Sequence, residues 1–255
     1  PATAGSQFVW IPVGKIYADE AKTEANAKTI TLGRYDFDET TGVASAYSGN
    51  YVEEDKGDTN ATLKNYGNTI AKNITNFKNS VTTNGGYYIG RYEARTLTKR
   101  TAAGNALTQI TEKGTDQVYN YVTQLQSAQL AQNMYNSNKF TSDLMNSYAW
   151  DTAILFLQTF GEDKYSIKKN VNASLATTGT NDTTKYTGTQ DVQCNVYDMA
   201  SNIYEWTTET TGDSYNPCVY RGGSCYNDYG YASFRGDYTT SGSNASAGFR
   251  PILFV

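Results

Sequence analysis

The chain has 255 residues, a formal net charge of -4 and no histidine. Histidine is the commonest metal ligand and the usual acid–base group near neutral pH, so His-containing triads and His-ligated iron or zinc sites are excluded. The few Lys and Arg are scattered and no apolar run approaches the ~20 residues of a membrane span, which argues against nucleic acid as the main partner and against membrane insertion.

In chain order, FVWIPVGKI at residues 8–16 reads as a short strand broken by Pro12 and Gly14. TITLGRYDF, residues 29–37, is a second strand candidate. From Asp38 to about Lys72 the chain is polar and turn-rich, as expected of a surface insertion. Ile70, Ile74, Phe77 and Val81 recur at helical spacing, and Asn84-Gly85-Gly86 supplies a stop. YYIGRYEA, Tyr87 to Ala94, follows as a strand, and residues 95–114 read as loop. Val118, Tyr121, Val122, Leu125 and Ala128 predict one face of a helix ending near Met134. AWDTAILFLQTF, Ala149 to Phe160, is apolar nearly all round and predicts a helix deep in the core, ended by Gly161. NVYDMASNIYEWTTE occupies residues 195–209, and PILFV closes the chain as a strand. Two main helices among short strands and long loops predict one α+β domain over residues 1–255, with FVWI and PILFV brought close together.

The run Arg221 to Arg250 has a restricted alphabet. Between Gly222 and Phe249 there is no Lys, Glu, Gln, Met or Trp. These are types that an Asn codon ending in a pyrimidine cannot reach when only its adenines are replaced, whereas Tyr, Asp, Ser, Gly, Thr, Ala, Phe and Cys are reachable. The mixture of Tyr226, Tyr229, Tyr231 and Tyr238 with Asn, Asp, Ser and Gly also resembles an antibody paratope, in which Tyr gives broad contact at low rotamer cost. A Gly/Ser/Tyr-rich surface loop with no special task has the same composition. RGGS and GFRP stand as brackets around it.

GGYYIGRYEA, AWDTAILFL, NVYDMASNIYEW, RGGS and GFR, in that order, resemble the formylglycine-generating-enzyme type of C-type lectin fold. Within it the chain looks like the variable proteins of diversity-generating retroelements. The resemblance implies a lectin-like scaffold of short antiparallel strands and long loops whose residues 221–250 form a variable ligand-binding region. Arg221, Gly222, Gly223, Ser224, Ala232, Ser233, Arg235, Gly248, Phe249 and Arg250 would then be frame. Cys225, Tyr226, Asn227, Asp228, Tyr229, Gly230, Tyr231, Phe234, Gly236, Asp237, Tyr238, Asn244 and Ser246 would vary between relatives and touch the ligand. It implies a non-enzymatic receptor-binding protein, displayed on a phage tail or cell surface, with an unknown surface ligand such as a protein on a target cell. A homo-oligomer would add avidity to a weak site.

Asp198, Asn202, Glu205 and Trp206 admit two readings. Their oxygens suit a calcium ion or a catalytic cluster; alternatively Asp198 and Asn202 satisfy loop backbone while Glu205 pairs with Arg221 or Arg250, and this structural role is the favoured one. No cofactor is expected, with a structural calcium left open. Cys194, Cys218 and Cys225 fit one bridge plus a free thiol, or none. Two alternatives stay in view. A formylglycine-generating-type thiol oxidase needs a reactive cysteine pair, of which only Cys225 lies in the variable run; a calcium-dependent lectin would stack its tyrosines on sugar.

Overall fold

The computed structural model describes residues 5–17, 19–53, 74–104, 110–135, 139–171, 191–226 and 229–255. Eight strands form two four-stranded sheets: β1 (Phe8–Pro12), β2 (Gly86–Gly90), β3 (Thr141–Leu144), β4 (Tyr204–Thr210), β5 (Cys218–Arg221), β6 (Arg235–Tyr238), β7 (Ala247–Phe249) and β8 (Pro251–Phe254). The first sheet has the order β1-β2-β8-β3 and is antiparallel throughout. Ile89 of β2 sits between Val9 of β1 and Ile252 of β8. The two ends of the chain therefore flank one central strand, as FVWI and PILFV led us to expect. The second sheet has the order β6-β5-β4-β7, with β7 parallel to β4 and the other pairs antiparallel. Only Arg250 separates β7 from β8, so the chain passes from one sheet to the other at a single residue.

Three helices belong to the described residues: α1 (Ile74–Asn84), α2 (Gln124–Met134) and α3 (Ser147–Phe160). Helix α3 is the core helix the sequence predicts. The Asn146 side chain caps it by accepting from the Ala149 amide at 2.9 Å, and the Gly161 amide closes its end on the Leu157 carbonyl. Its Trp150, Ala153, Ile154 and Leu157 are fully buried with Ile11, Tyr87, Ile89 and Ile252 of the first sheet, each large apolar side chain contributing about 1.5–3 kcal/mol on burial. In α1, Phe77 and Val81 face the same core, and Gly85 ends the helix at φ +74°.

Three local expectations need correcting. The helix read from Val118 begins only at Gln124, because Thr123 and Gln126 form a reciprocal cap, each side chain bonded to the other's backbone amide. Val118 instead pairs with Arg95 in a two-residue strand, and Tyr121 has φ +56°. The strand at Tyr87 stops at Gly90, after which residues 91–93 bend. Residues 29–37 are two strands rather than one, Ala27–Ile30 pairing with Gly14–Tyr17 and Tyr35–Phe37 pairing with Ala44–Ala46. The break falls at Gly33, whose amide donates to the Thr152 hydroxyl of α3.

The insertion read over residues 38–72 is only partly surface. Residues 54–72 lie outside the described residues, but Val52 bridges Thr210 of β4, and the Glu53 carboxylate accepts from the Ser147 amide and the Thr208 hydroxyl.

Candidate binding face and its frame

The bracket RGGS is shaped by close approach. Gly222 has φ +81°, and a Cβ there would stand 2.7 Å from the Met199 carbonyl oxygen. At Gly223 a Cβ would be 2.0 Å from the Ala200 carbonyl oxygen, so no side chain fits. Deeper in the run, the Trp150 indole donates to the Ala232 carbonyl at 2.9 Å, and Ser233 donates its amide and its hydroxyl to the Ser166 carbonyl. Helix α3 and the loop after it therefore hold the middle of the run.

Two buried charge clusters complete the frame. In the first, the fully buried Arg221 donates to Asp151 at 2.6 Å and to the carbonyls of Phe234 and Ser233, with Glu209 at 3.4 Å. Arg235 bonds the same two carboxylates, Asp151 and Glu209, and Arg34 bonds Glu209. Burial alone would raise the Glu209 pKa, but the guanidinium groups of Arg235, Arg221 and Arg34 outweigh it and hold the carboxyl below its usual range. Burial and the neighbouring Arg235 charge together lower the pKa of Arg221.

In the second cluster Arg250 forms a two-point pair with Glu205, at 3.0 and 2.5 Å, and donates to the carbonyls of Gly90 and Tyr197. It thus ties β2 to β4 where the chain changes sheets. Of the two arginines considered from sequence, Arg250 is the partner of Glu205. Asn202 donates to Glu93, Trp206 donates its indole N–H to the Val122 carbonyl, and Asp198 and Asn202 take left-handed backbone at φ +64° and +66°. Beside them, both oxygens of buried Glu112 lack a hydrogen-bond partner among the described residues, and burial raises its pKa well above the usual value. Among the described residues no group of three or more Cys, Asp or Glu is placed to hold a metal ion.

The frame residues Arg221, Gly222, Gly223, Ser224, Ala232, Ser233, Gly248, Phe249 and Arg250 are buried, and Arg235 is nearly so. Of the residues expected to meet a ligand, Tyr229 is 59% exposed, Tyr238 47%, and Asn244 is exposed. Tyr226, Tyr231, Phe234, Asp237 and Ser246 are half-buried, while Asn227 and Asp228 lie outside the described residues. Phe234 is a hub, with ring contacts to Tyr204, Tyr220, Tyr229 and Tyr231. Three residues do not belong on the face. Cys225 is fully buried, Gly230 packs against Gly223, and Gly236 lies under the Tyr220 ring.

Sequence reasoning missed one wall. Asp36, Glu39, Tyr47, Asn50 and Tyr51 approach the run and, with Tyr231, Phe234 and Arg235, line a cleft of about 430 Å³. The Tyr51 hydroxyl donates to Asp237 at 2.6 Å and the Tyr231 hydroxyl to Glu39 at 3.0 Å. The Tyr47 ring is stacked by both Arg34 and Arg235, at 4.2 and 4.3 Å. Nothing in the residue pattern of a polar, Gly-rich stretch tells which distant strand it lies beside.

A family model for the sulfatase-modifying factor enzyme 1-like domain matches residues 1–253. The chain belongs to that family. Its α+β architecture is the formylglycine-generating-enzyme type of C-type lectin-like fold. Among solved structures, Treponema denticola variable protein 1 is similar with a TM-score of 0.46 at 16% identity, over 67% of this chain and 85% of that one. CarF is similar with a TM-score of 0.34 at 17% identity, over 45% of this chain and 48% of that one. A search of curated proteins finds no match.

For this sulfatase-modifying factor enzyme 1-like domain the cysteines bear on chemistry. Cys218 and Cys225 are both buried, and none of the three cysteines is in a disulfide. Burial, reinforced by the negative charge of Glu93, pushes the Cys225 thiol up to about 12. At neutral pH it is a protonated, inaccessible thiol, the opposite of an activated nucleophile.

Proposed function

We propose that this chain is a non-enzymatic binding protein whose C-terminal run presents a recognition face diversified by adenine-directed mutagenesis. The observation that carries the reading is the division of the run. Its bracket residues and both arginine pairs are buried, while Tyr229, Tyr238 and Asn244 are open to solvent. Exchange of exposed side chains costs little stability as long as the buried scaffold is kept. The restricted alphabet between Gly222 and Phe249 falls on the same segment. Buried Cys225 and the absence of histidine weigh against the thiol oxidase and against His-based chemistry. The partner in this reading is a protein on a target cell, met from a phage tail or a cell surface, and no cofactor takes part.

The test is genetic. The gene neighbourhood should hold a near-identical template repeat with adenines at the codons for exposed positions such as Tyr229 and Tyr238, beside a reverse transcriptase. A complete neighbourhood with neither repeat nor transcriptase overturns the reading.

A further inference from the structure

From the cleft between residues 36–51 and the C-terminal run, we infer that the recognition face takes the arginine side chain of a protein partner there, against one wall that lies outside the diversified segment. The inference rests on the reading of the run as a recognition surface and names what one part of it recognises.

The cleft has the volume for a long side chain and two kinds of lining. Tyr51, Tyr231 and Phe234 supply rings, while Asp36 and Glu39 supply carboxylates, with Asp237 held just behind by Tyr51. No lysine lines it. The one arginine among the described lining residues, Arg235, is committed to Asp151 and Glu209, and its guanidinium lies over Tyr47. The charge of the lining left for a ligand is therefore negative. An arginine matches both features, because its methylene stem packs on ring faces while its planar head stacks on an aromatic and takes a carboxylate at two points. The same chemistry already operates in the wall itself, where the guanidinium groups of Arg34 and Arg235 both lie over the Tyr47 ring.

The two walls are joined by hydrogen bonds spanning 186 and 192 residues of sequence, Tyr51 to Asp237 and Tyr231 to Glu39. Burial and the bond to Glu39 push the Tyr231 hydroxyl up to about 12, so it stays protonated and keeps donating. Positions 231 and 237 are thus set by a partner that lies outside the run. An exchange at either would alter the width of the cleft but leave Asp36 and Glu39 in place.

The experiment titrates the whole chain with N-acetyl-Gly-Arg-Gly-amide, followed by chemical-shift changes of the tyrosine rings, with the Gly-Glu-Gly and Gly-Leu-Gly peptides in parallel. The arginine peptide should bind in the millimolar range and shift Tyr51 and Tyr231, and the other two should not. Asp36→Asn with Glu39→Gln should weaken binding by about three- to tenfold, as loss of two partly exposed ion pairs implies. Glu20→Gln, which removes an exposed charge outside the cleft lining, should leave it unchanged. Equal binding of the three peptides, or full binding by the doubly neutralised variant, overturns the inference. The diversified face stands or falls on the gene, so the two fail separately.

Discussion

Replacing Arg221 by alanine measures how much of the frame's rigidity resides in its buried charges. The side chain is fully enclosed and bonds two carboxylates and two backbone carbonyls, so its loss takes one donor from each of four acceptors in a dry site. Breaking a buried ion pair by deleting one member costs about 3–5 kcal/mol. Asp151 and Glu209 keep Arg235, and Glu209 keeps Arg34, so the lower end, ~3 kcal/mol, applies here. For a chain of this size that corresponds to a fall of roughly 6–12 °C in melting temperature. Tyr229→Ala, at an exposed site with one ring contact to Phe234, should change stability by no more than about 0.5 kcal/mol. Equilibrium urea unfolding reads both, with the buried Trp150 and Trp206 as fluorescent reporters. Arg221→Lys, which keeps a charge but loses the planar fork, should fall between them and secures the comparison if the alanine variant does not fold. A loss under about 1 kcal/mol for Arg221→Ala, or a larger loss for Tyr229→Ala, would refute the separation of frame from face.

Tyr231→Ala removes a hydrogen bond to Glu39 and an edge contact with Phe234, and should cost about 1–2 kcal/mol by the same unfolding assay, with Tyr231→Phe recovering the ring's share. Burial, helped by the charge of Glu209, lifts the Glu53 carboxyl from 4.5 to about 7. Because that folded value lies above the unfolded one, its contribution is fully present below pH ~4.5 and is lost as pH rises through about 7, by up to ~3 kcal/mol. Glu53→Gln should flatten that part of the stability profile. Glu112→Gln, which replaces a buried carboxyl without a hydrogen-bond partner among the described residues, should raise the melting temperature more at pH 8 than at pH 5. In native protein an aromatic disulfide reagent should label half-buried Cys194 first, with Cys218 and Cys225 reacting only after denaturation.

Elements defined by short-range chemistry were legible in the sequence. Helix α3 announces itself by an apolar run and a terminal glycine, though its Asn146 cap places the start at Ser147, and the brackets RGGS and GFR mark positions where carbonyls and neighbouring side chains leave no room for a Cβ. The helix starting at Gln124 was misplaced because Val118, Tyr121 and Val122 repeat at nearly helical spacing although Val118 pairs in a strand and Tyr121 takes left-handed backbone, and only the Thr123–Gln126 cap decides the boundary. Burial of Cys225, Gly230 and Gly236 was hidden for a related reason. Composition describes a segment, whereas exposure depends on which side of a strand or turn each residue takes. The wall at residues 36–51 left no trace, since Tyr51 and Asp237 acquire meaning only when the fold brings them within 2.6 Å.

The points that hold the run come at short intervals: Gly223 against Ala200, Ala232 under Trp150, Ser233 on Ser166, and Arg235 between Asp151 and Glu209. Each is a matter of register as well as identity. One added residue between Gly223 and Ala232 would have to bulge outward, and one added between Ala232 and Arg235 would put the wrong side chain opposite the carboxylates. If the run is diversified as proposed, its spelling can change at the open positions but its length cannot, and the process that generates new versions must copy residue for residue.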